Sequence, residues 1–173
     1  ERVLYSYRDK VRVICVRPAT VCGLAERLRL DVSVNMLTYQ ALKNEVITVF
    51  GGHQARPNIH IDDITDLYLF FLKTKKKYCG IYNAGFENDS ILKIAKVVSK
   101  ITGAKIKINK TNHDPRSYRL DSSKLIKIGF KNKKTYTDAI YDLKELFQKK
   151  TLTDNPKFHS VKWLKNILNN KLK

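Results

Sequence analysis

The sequence predicts an α/β fold, and three observations support this class. Residues 11–17 form a near-continuous apolar run, which is typical of a strand buried on both faces of a parallel sheet. Short β-branched runs such as 46–50 alternate with segments such as 91–101, where apolar residues recur at helical spacing. The 173 residues leave room for one domain, or one domain and a remnant of another.

The first half of the chain predicts two strand–helix units. The predicted elements are a helix end at 1–9, strand 11–17, a ligand-facing turn at 18–30, helix 31–43 closed by Asn44, strand 46–50, a short strand at 58–61 and helix 62–74. Asp31 is an N-cap candidate for helix 31–43. The charges of Asp62 and Asp63 suit the positive N-terminal end of helix 62–74.

The second half continues with strand 80–84 and a helix-rich end. The predicted elements are helix 91–101 with N-cap candidates in Asn88-Asp89-Ser90, strand 104–109, a short helix capped by Asp121 and ending at Gly129, and helices 136–148 and 159–171 after a linker at 154–156. Gly103 should close helix 91–101. On the last helix, a stripe of Val161, Leu164, Ile167, Leu168 and Leu172 is expected to pack on the domain rather than on a membrane.

The loop around Arg56 is the most informative local feature. Gly51 and Gly52 allow positive φ or a close approach to a ligand. Pro57 holds Arg56 in an extended conformation, in which its planar fork suits a phosphate. An Arg that bonds local carbonyls to hold the turn is the alternative, and the loop alone favours that alternative.

Four other motifs accompany this loop in a fixed order. The series is R-P-A-T-V-x-G (17–23), D-x-x-V-N (31–35), F-G-G-x-Q-x-R-P-x-I-H-x-D-D (50–63), Y-N-A-G (82–85) and D-x-R-S-Y-x-x-D (114–121). The first motif follows a predicted strand, where open α/β sheets bind ligands. Over residues 1–147 the series resembles the C-terminal half of NAD-dependent nucleotide-sugar epimerases and dehydratases of the extended short-chain dehydrogenase/reductase family.

The resemblance implies the last part of a Rossmann-like parallel sheet plus the smaller α/β substrate-binding domain. Residues 1–30 would be the remnant of the cofactor domain, and residues 31–150 mainly the substrate domain. Within the latter, 58–85 would return to the Rossmann-like sheet. Residues 151–173 would form a C-terminal helical extension.

The resemblance also implies site residues, with NAD as cofactor and a nucleotide-diphosphate sugar as substrate. Pro18 and Val21 correspond to positions whose backbone lines the nicotinamide. The implied substrate residues are Thr20 near the sugar, Asn35 at the diphosphate, Thr48 and Phe50 beside the base, and Arg56 and Arg116 at the diphosphate. Arg116 could instead pair with Asp114 or Asp121, and Thr20 replaces the Asn or Ser of many members. No metal site is implied, and the complete protein could be a homodimer.

Two motifs of the family are not at their expected places. The chain has no glycine-rich G-x-x-G-x-x-G turn, and no Tyr-x-x-x-Lys pair shortly before strand 11–17. In the family, that Tyr takes a hydroxyl proton while NAD oxidises a sugar carbon. We therefore expect a truncated chain with no catalytic residue of its own, inactive in isolation.

Composition bounds the other possibilities. The net charge of +18 attracts polyanions, but it comes mostly from scattered lysines, so we do not expect nucleic acid as a partner. Cys15, Cys22 and Cys79 have no C-x-x-C spacing and fit reduced thiols of a cytoplasmic protein, and no apolar run could span a membrane. A noncatalytic basic interaction module and an inactive gene fragment remain as alternatives.

Overall fold

The structure, a computed structural model, describes residues 1–75, 78–111 and 115–171. In chain order the elements are α1 (Arg2–Ser6), β1 (Ile14–Pro18), β2 (Thr20–Cys22), α2 (Ser33–Asn44), β3 (Val46–Phe50), β4 (Ala55–His60), α3 (Ile61–Lys73), β5 (Gly80–Ala84), β6 (Glu87–Ser90), α4 (Ile91–Thr102), β7 (Lys105–Asn109), α5 (Ser123–Lys127), α6 (Tyr136–Gln148), a 3-10 helix (Pro156–Phe158) and α7 (Ser160–Lys171). Asp114 and Leu172, which the sequence analysis named, lie outside the described residues. The α/β class is confirmed.

The strands form three small sheets. β1 pairs with β5 and β3 with β7, both in parallel, while β4 lies between a parallel β2 and an antiparallel β6. β5 and β4 therefore pair with strands that precede residue 30. The division into a cofactor remnant, a substrate domain and an extension stays a prediction.

Two apolar clusters hold the helices on these sheets. One joins α2, α4 and α6 to β3 through fully buried residues such as Ile47, Ile94 and Ile140. The other packs α3 and α5 on β4 and β5 through residues such as Leu67 and Leu125. Burying each such side chain contributes about 1.5–3 kcal/mol, so these clusters fix where the loops at the strand ends lie.

The predicted loop around Arg56 is wrong, because Arg56 lies within β4. Pro57 cannot donate to a strand partner, which argues against a central strand. In this sheet β2 pairs only with residues 58–60 and β6 only with 55–58, so Pro57 has a strand partner on one side. The turn predicted at 18–30 likewise contains a short strand, β2.

Strand 11–17 differs from its prediction in extent and burial. It begins at Ile14, its first three residues are only half-buried, and Arg17 and Pro18 are exposed. No residue of β1 is fully buried, so the predicted burial on both faces does not occur here, and among the described strands β1 pairs with β5 alone.

Two predicted caps are wrong. Val32, not Asp31, is the N-cap of α2, and the Asp31 carboxylate instead accepts hydrogen bonds from Arg29 Nε at 3.0 Å and Ser160 N at 2.9 Å. At the C-terminal end of α2 the left-handed residue is Glu45, which follows Asn44. The predicted closure of α4 by a left-handed Gly103 is confirmed.

Candidate functional site

Two adjoining clefts contain all eight residues that the sequence predicts for the site. The turn cleft, of about 640 Å³, surrounds residues 18–29, and the arginine cleft, of about 390 Å³, lies beside β3 and β4. Thr20, Val32 and Tyr118 line both clefts and form their junction. Pro18, Val21 and Asn35 line the turn cleft; Thr48, Phe50, Arg56 and Arg116 line the arginine cleft.

A sharp change of sheet creates the turn cleft. β1 ends at Pro18, Ala19 N donates to Ala84 O at 2.8 Å, and the chain then pairs with β4 as β2. β2 ends next to Gly23, which has a φ of +107°. A Cβ on Gly23 would lie 2.9 Å from Ile61 Cγ2, so both space and backbone conformation require glycine there.

Asn35 braces this turn. The side chain is 1% exposed; its Oδ1 accepts from Gly23 N at 3.0 Å, and Nδ2 donates to Gly23 O at 3.3 Å and to Arg29 O at 3.0 Å. Both amide hydrogens are thus directed at backbone carbonyls. The structure gives Asn35 a role in shaping the turn cleft, and its contact with a diphosphate stays a prediction.

β3 supplies one wall of the arginine cleft. Alternation along this strand buries Ile47 and Val49 completely and turns Thr48 and Phe50 to the other face. Phe50 is 42% exposed, so its ring is open to a planar ligand.

Arg56 and Arg116 form the charged end of the arginine cleft. Tyr118 N donates to Ala55 O at 3.4 Å and Ala55 N donates to Ser117 Oγ at 3.0 Å, which aligns residues 116–118 with the start of β4. Arg56 Nη1 donates to Ala55 O at 3.0 Å and to Arg116 O, and its guanidinium lies 5.6 Å from the centre of the Tyr118 ring. Arg56 therefore bonds nearby carbonyls, as the alternative to phosphate binding predicted. The same guanidinium also lines the arginine cleft.

The sequence analysis missed two further cationic residues, Arg27 and Arg29, which line the turn cleft. The alternation Arg27-Leu28-Arg29-Leu30 could have indicated that both arginines point away from the core. In the structure both leucines are buried and both arginines are exposed. Burial raises the pKa of Asp31, but hydrogen bonds from Arg29 and the N–H of Ser160 outweigh it and hold that pKa below its usual value. A carboxylate thus stands at the edge of the arginine cleft.

One Tyr-x-x-x-Lys string, Tyr39 to Lys43, occurs on α2 and escaped the sequence analysis. Lys43 Nζ lies 5.4 Å from the centre of the Tyr39 ring and 3.9 Å from Asp154 Oδ2. Tyr39 packs on a cluster that includes Leu28 and Leu152, and neither Tyr39 nor Lys43 is among the described residues that line the two clefts. The position of Tyr39 and Lys43, away from both clefts, does not fit a catalytic pair.

The structure also bears on metals and membranes. No group of three or more His, Cys, Asp or Glu side chains within the described residues could hold a metal ion. Of the helices in the described ranges, none combines the length and the apolar character that crossing a bilayer requires.

Comparison with known proteins identifies a similar family. A profile of the NAD dependent epimerase/dehydratase family matches residues 1–85. Over these residues the chain is similar to that family. The match covers the turn cleft's β1–β2 wall, β3, and Arg56.

Solved structures of nucleotide-sugar epimerases share this fold. UDP-glucuronic acid 4-epimerase from Bacillus cereus, in complex with UDP-glucuronic acid and NAD, is 27% identical with a TM-score of 0.68, over 84% of this chain and 50% of that one. UDP-N-acetylglucosamine 4-epimerase from Bacillus cereus is 21% identical with a TM-score of 0.70, over 90% of this chain and 52% of that one. UDP-glucose 4-epimerase from Thermotoga maritima, with UDP-glucose, is 21% identical with a TM-score of 0.70, over 87% and 51%. The chain spans about half the length of these proteins.

Proposed function

We propose that this chain is the nucleotide-sugar-binding portion of an NAD-dependent epimerase or dehydratase that acts by transient hydride transfer. The observation that carries the proposal is the junction of the two clefts at Thr20, Val32 and Tyr118. A ligand that spans this junction would meet two arginines and an exposed aromatic ring in the arginine cleft, and an apolar wall in the turn cleft. A nucleotide-diphosphate sugar that meets a nicotinamide has this division of chemistry.

The arginine cleft fits the nucleotide end. The exposed Phe50 ring suits stacking on a base, while Arg56 and Arg116 suit the diphosphate, because guanidinium–phosphate hydrogen bonds are charge-assisted and often bidentate. The 27% identical relative, which is described with UDP-glucuronic acid and NAD, supports this assignment.

The turn cleft fits one end of NAD. Pro18, Val21, Ile64 and Tyr68 provide an apolar wall suited to a flat ring. When bound, NAD would accept a hydride from the sugar and return it. In the turn cleft this chain's residues would orient the nicotinamide and exclude water, and Thr20 would contact the sugar at the junction.

Calorimetry of the 173-residue chain with UDP, UMP and NAD tests the proposal. UDP should bind roughly tenfold or more tightly than UMP, because its second phosphate adds a charge-assisted contact. NAD should bind weakly, since the cleft contacts only its nicotinamide end. Equal affinities for UDP and UMP would contradict the assignment of the arginines to a diphosphate.

A further inference from the structure

Several contacts attach the start of the C-terminal helix α7 to the domain. Phe158 O accepts from Leu30 N at 2.9 Å, and Ser160 N donates to Asp31 Oδ2 at 2.9 Å. Arg27 lies 5.1 Å from the centre of the Trp163 ring. These contacts hold the start of α7 against the turn at residues 27–31.

The remaining apolar face of α7 is exposed. Val161, Leu164 and Leu168 are 63%, 52% and 58% exposed, so the expectation that the stripe packs on the domain is wrong for these three residues. Their spacing of three and four residues places them in one ridge along the helix. Ile167 is half-buried and lies beside this ridge, whereas the half-buried Trp163 lies on the side of α7 that faces Arg27.

The sequence around this ridge is rich in lysine. Residues 149–171 contain six lysines and a single acidic residue, Asp154. Asp154 is already engaged, because its Oδ1 lies 2.7 Å from His159 Nε2 and its Oδ2 3.9 Å from Lys43 Nζ. Lys162 and Lys165 are exposed on α7 itself. The apolar ridge therefore lies in a strongly positive part of a chain whose net charge is +18.

We propose that α7 is a membrane-surface helix that docks on anionic lipid. Val161, Leu164 and Leu168 enter the boundary between headgroups and acyl chains, while Lys162 and Lys165 extend to the lipid phosphates. Charge decides the occupant: the lysines attract an anionic bilayer, whereas they repel the same helix of a second copy. Membrane docking through α7 is a function separate from nucleotide-sugar binding, and either can fail without the other.

Vesicle binding of the 173-residue chain tests the proposal. Vesicles of phosphatidylcholine mixed with phosphatidylglycerol should sediment with the chain. Pure phosphatidylcholine vesicles should bind far less. The double substitution Leu164→Ser/Leu168→Ser should weaken vesicle binding about tenfold or more. The free energy gained when two leucine side chains move from water into the bilayer is then lost.

A matched control separates α7 from general adsorption of a cationic protein. Leu69 and Leu72 on α3 are 39% and 74% exposed, and Leu69→Ser/Leu72→Ser should leave vesicle binding unchanged. Lys162→Gln/Lys165→Gln should weaken binding to anionic vesicles only. Because all these side chains are exposed, circular dichroism should show folded variants with unchanged melting temperatures.

Three outcomes would overturn the proposal. The first is vesicle binding that the leucine substitutions in α7 do not weaken, which would show adsorption by charge alone. The second is equal binding to anionic vesicles and to pure phosphatidylcholine vesicles. The third is absence of vesicle binding together with self-association that Leu164→Ser/Leu168→Ser abolishes, which would identify a second copy as the occupant.

Discussion

At the scale of a single residue, two roles of Arg56 must be distinguished: bracing the strand and binding a ligand. Its guanidinium bonds the carbonyls of Ala55 and Arg116 and also lines the arginine cleft. A bracing role alone would lower stability on substitution. A ligand-binding role would lower affinity for a diphosphate in molecules that remain folded.

We predict that Arg56→Ala weakens UDP binding by roughly ten- to a hundred-fold, through loss of a charge-assisted contact of about 1.5–3 kcal/mol. Arg56→Lys should recover only part of this loss, because an ammonium group cannot make the two-pronged contact. Arg119→Ala, on an exposed Arg outside the clefts, removes the same charge and should leave affinity nearly unchanged. Calorimetry with melting temperatures measures both roles; an earlier melt at unchanged affinity would mean that Arg56 only braces the strand.

Glu87, which is not among the residues that line the two clefts, makes the stability of the chain depend on pH. Burial, together with the charges of Asp89 and Asp138, raises its pKa from 4.5 to about 7, although Oε2 accepts a hydrogen bond from Tyr136 N at 2.6 Å. The folded chain therefore keeps a proton that the unfolded chain releases between these two pH values. This contribution to stability is complete below pH 4.5 and is lost as pH rises through about 7.

We predict that this loss is about 1–2 kcal/mol after allowance for solvent screening of a half-buried group. Glu87→Gln should flatten the decline, since the amide does not titrate. Urea denaturation between pH 4.5 and about 7 measures the decline in the free energy of unfolding. Glu26→Gln, at an exposed residue, serves as the control. A decline equally steep in Glu87→Gln would assign it to other groups.

At the scale of elements, sequence periodicity located the longer helices and the strands β3, β5 and β7, whereas β2 was predicted as part of a turn. β3, β5 and α4 lie within two residues of their predicted bounds, because each buries an apolar face that the sequence displays. β6 was missed since Glu87-Asn88-Asp89-Ser90 contains poor strand formers. Its strand conformation depends on pairing with β4, and that pairing is a tertiary effect with no local signal.

Asp62 and Asp63 illustrate the same limit at the start of α3. The sequence treats both as favourable charges at a helix N-terminus, but Asp63 is 2% exposed and accepts hydrogen bonds from Lys133 N at 2.8 Å and Lys134 N at 3.1 Å. It thereby ties α3 to the segment that enters α6. Asp62 is exposed and pairs with Lys134 Nζ at 2.8 Å.

We predict that Asp63→Asn lowers the free energy of unfolding by about 2–3 kcal/mol. One of the two backbone N–H groups would then face the side-chain NH2, a donor, instead of a carboxylate oxygen. Asp62→Asn should cost less than about 1 kcal/mol, as expected for an exposed ion pair. Urea denaturation of the two variants compares them directly. Equal losses would contradict the structural distinction.

At the scale of the whole molecule, the resemblance named residues far apart in sequence, and the structure brings them to two adjoining clefts. Local pattern could not have shown that Arg116 approaches Arg56, since this depends on hydrogen bonds between residues 117–118 and Ala55. Nor could it have shown that Asn35 is committed to the turn at Gly23. Strand order and loop contacts, rather than propensities, assemble this site.

The 173-residue chain alone should not turn over UDP-sugars in the presence of NAD. No Tyr-x-x-x-Lys pair stands at the family's position before β1, and the Tyr39 and Lys43 side chains lie away from both clefts. Chromatography of UDP-glucose and UDP-glucuronic acid after long incubation checks this. Product formation that Tyr39→Phe abolishes would assign proton transfer to α2 and contradict the site described above.

The central claim, that nucleotide-diphosphate sugars bind across the junction of the two clefts, can be tested most directly by nuclear magnetic resonance. Titration of the labelled chain with UDP-glucose should shift the backbone amides of Thr20, Thr48, Phe50, Arg56 and Arg116 saturably. Adding NAD should then extend the shifts to Ala19 and Val21. The amides of His53 and Lys110, which line a neighbouring cavity of about 610 Å³, should change little. Saturable shifts confined to that cavity, or none at all, would contradict the claim.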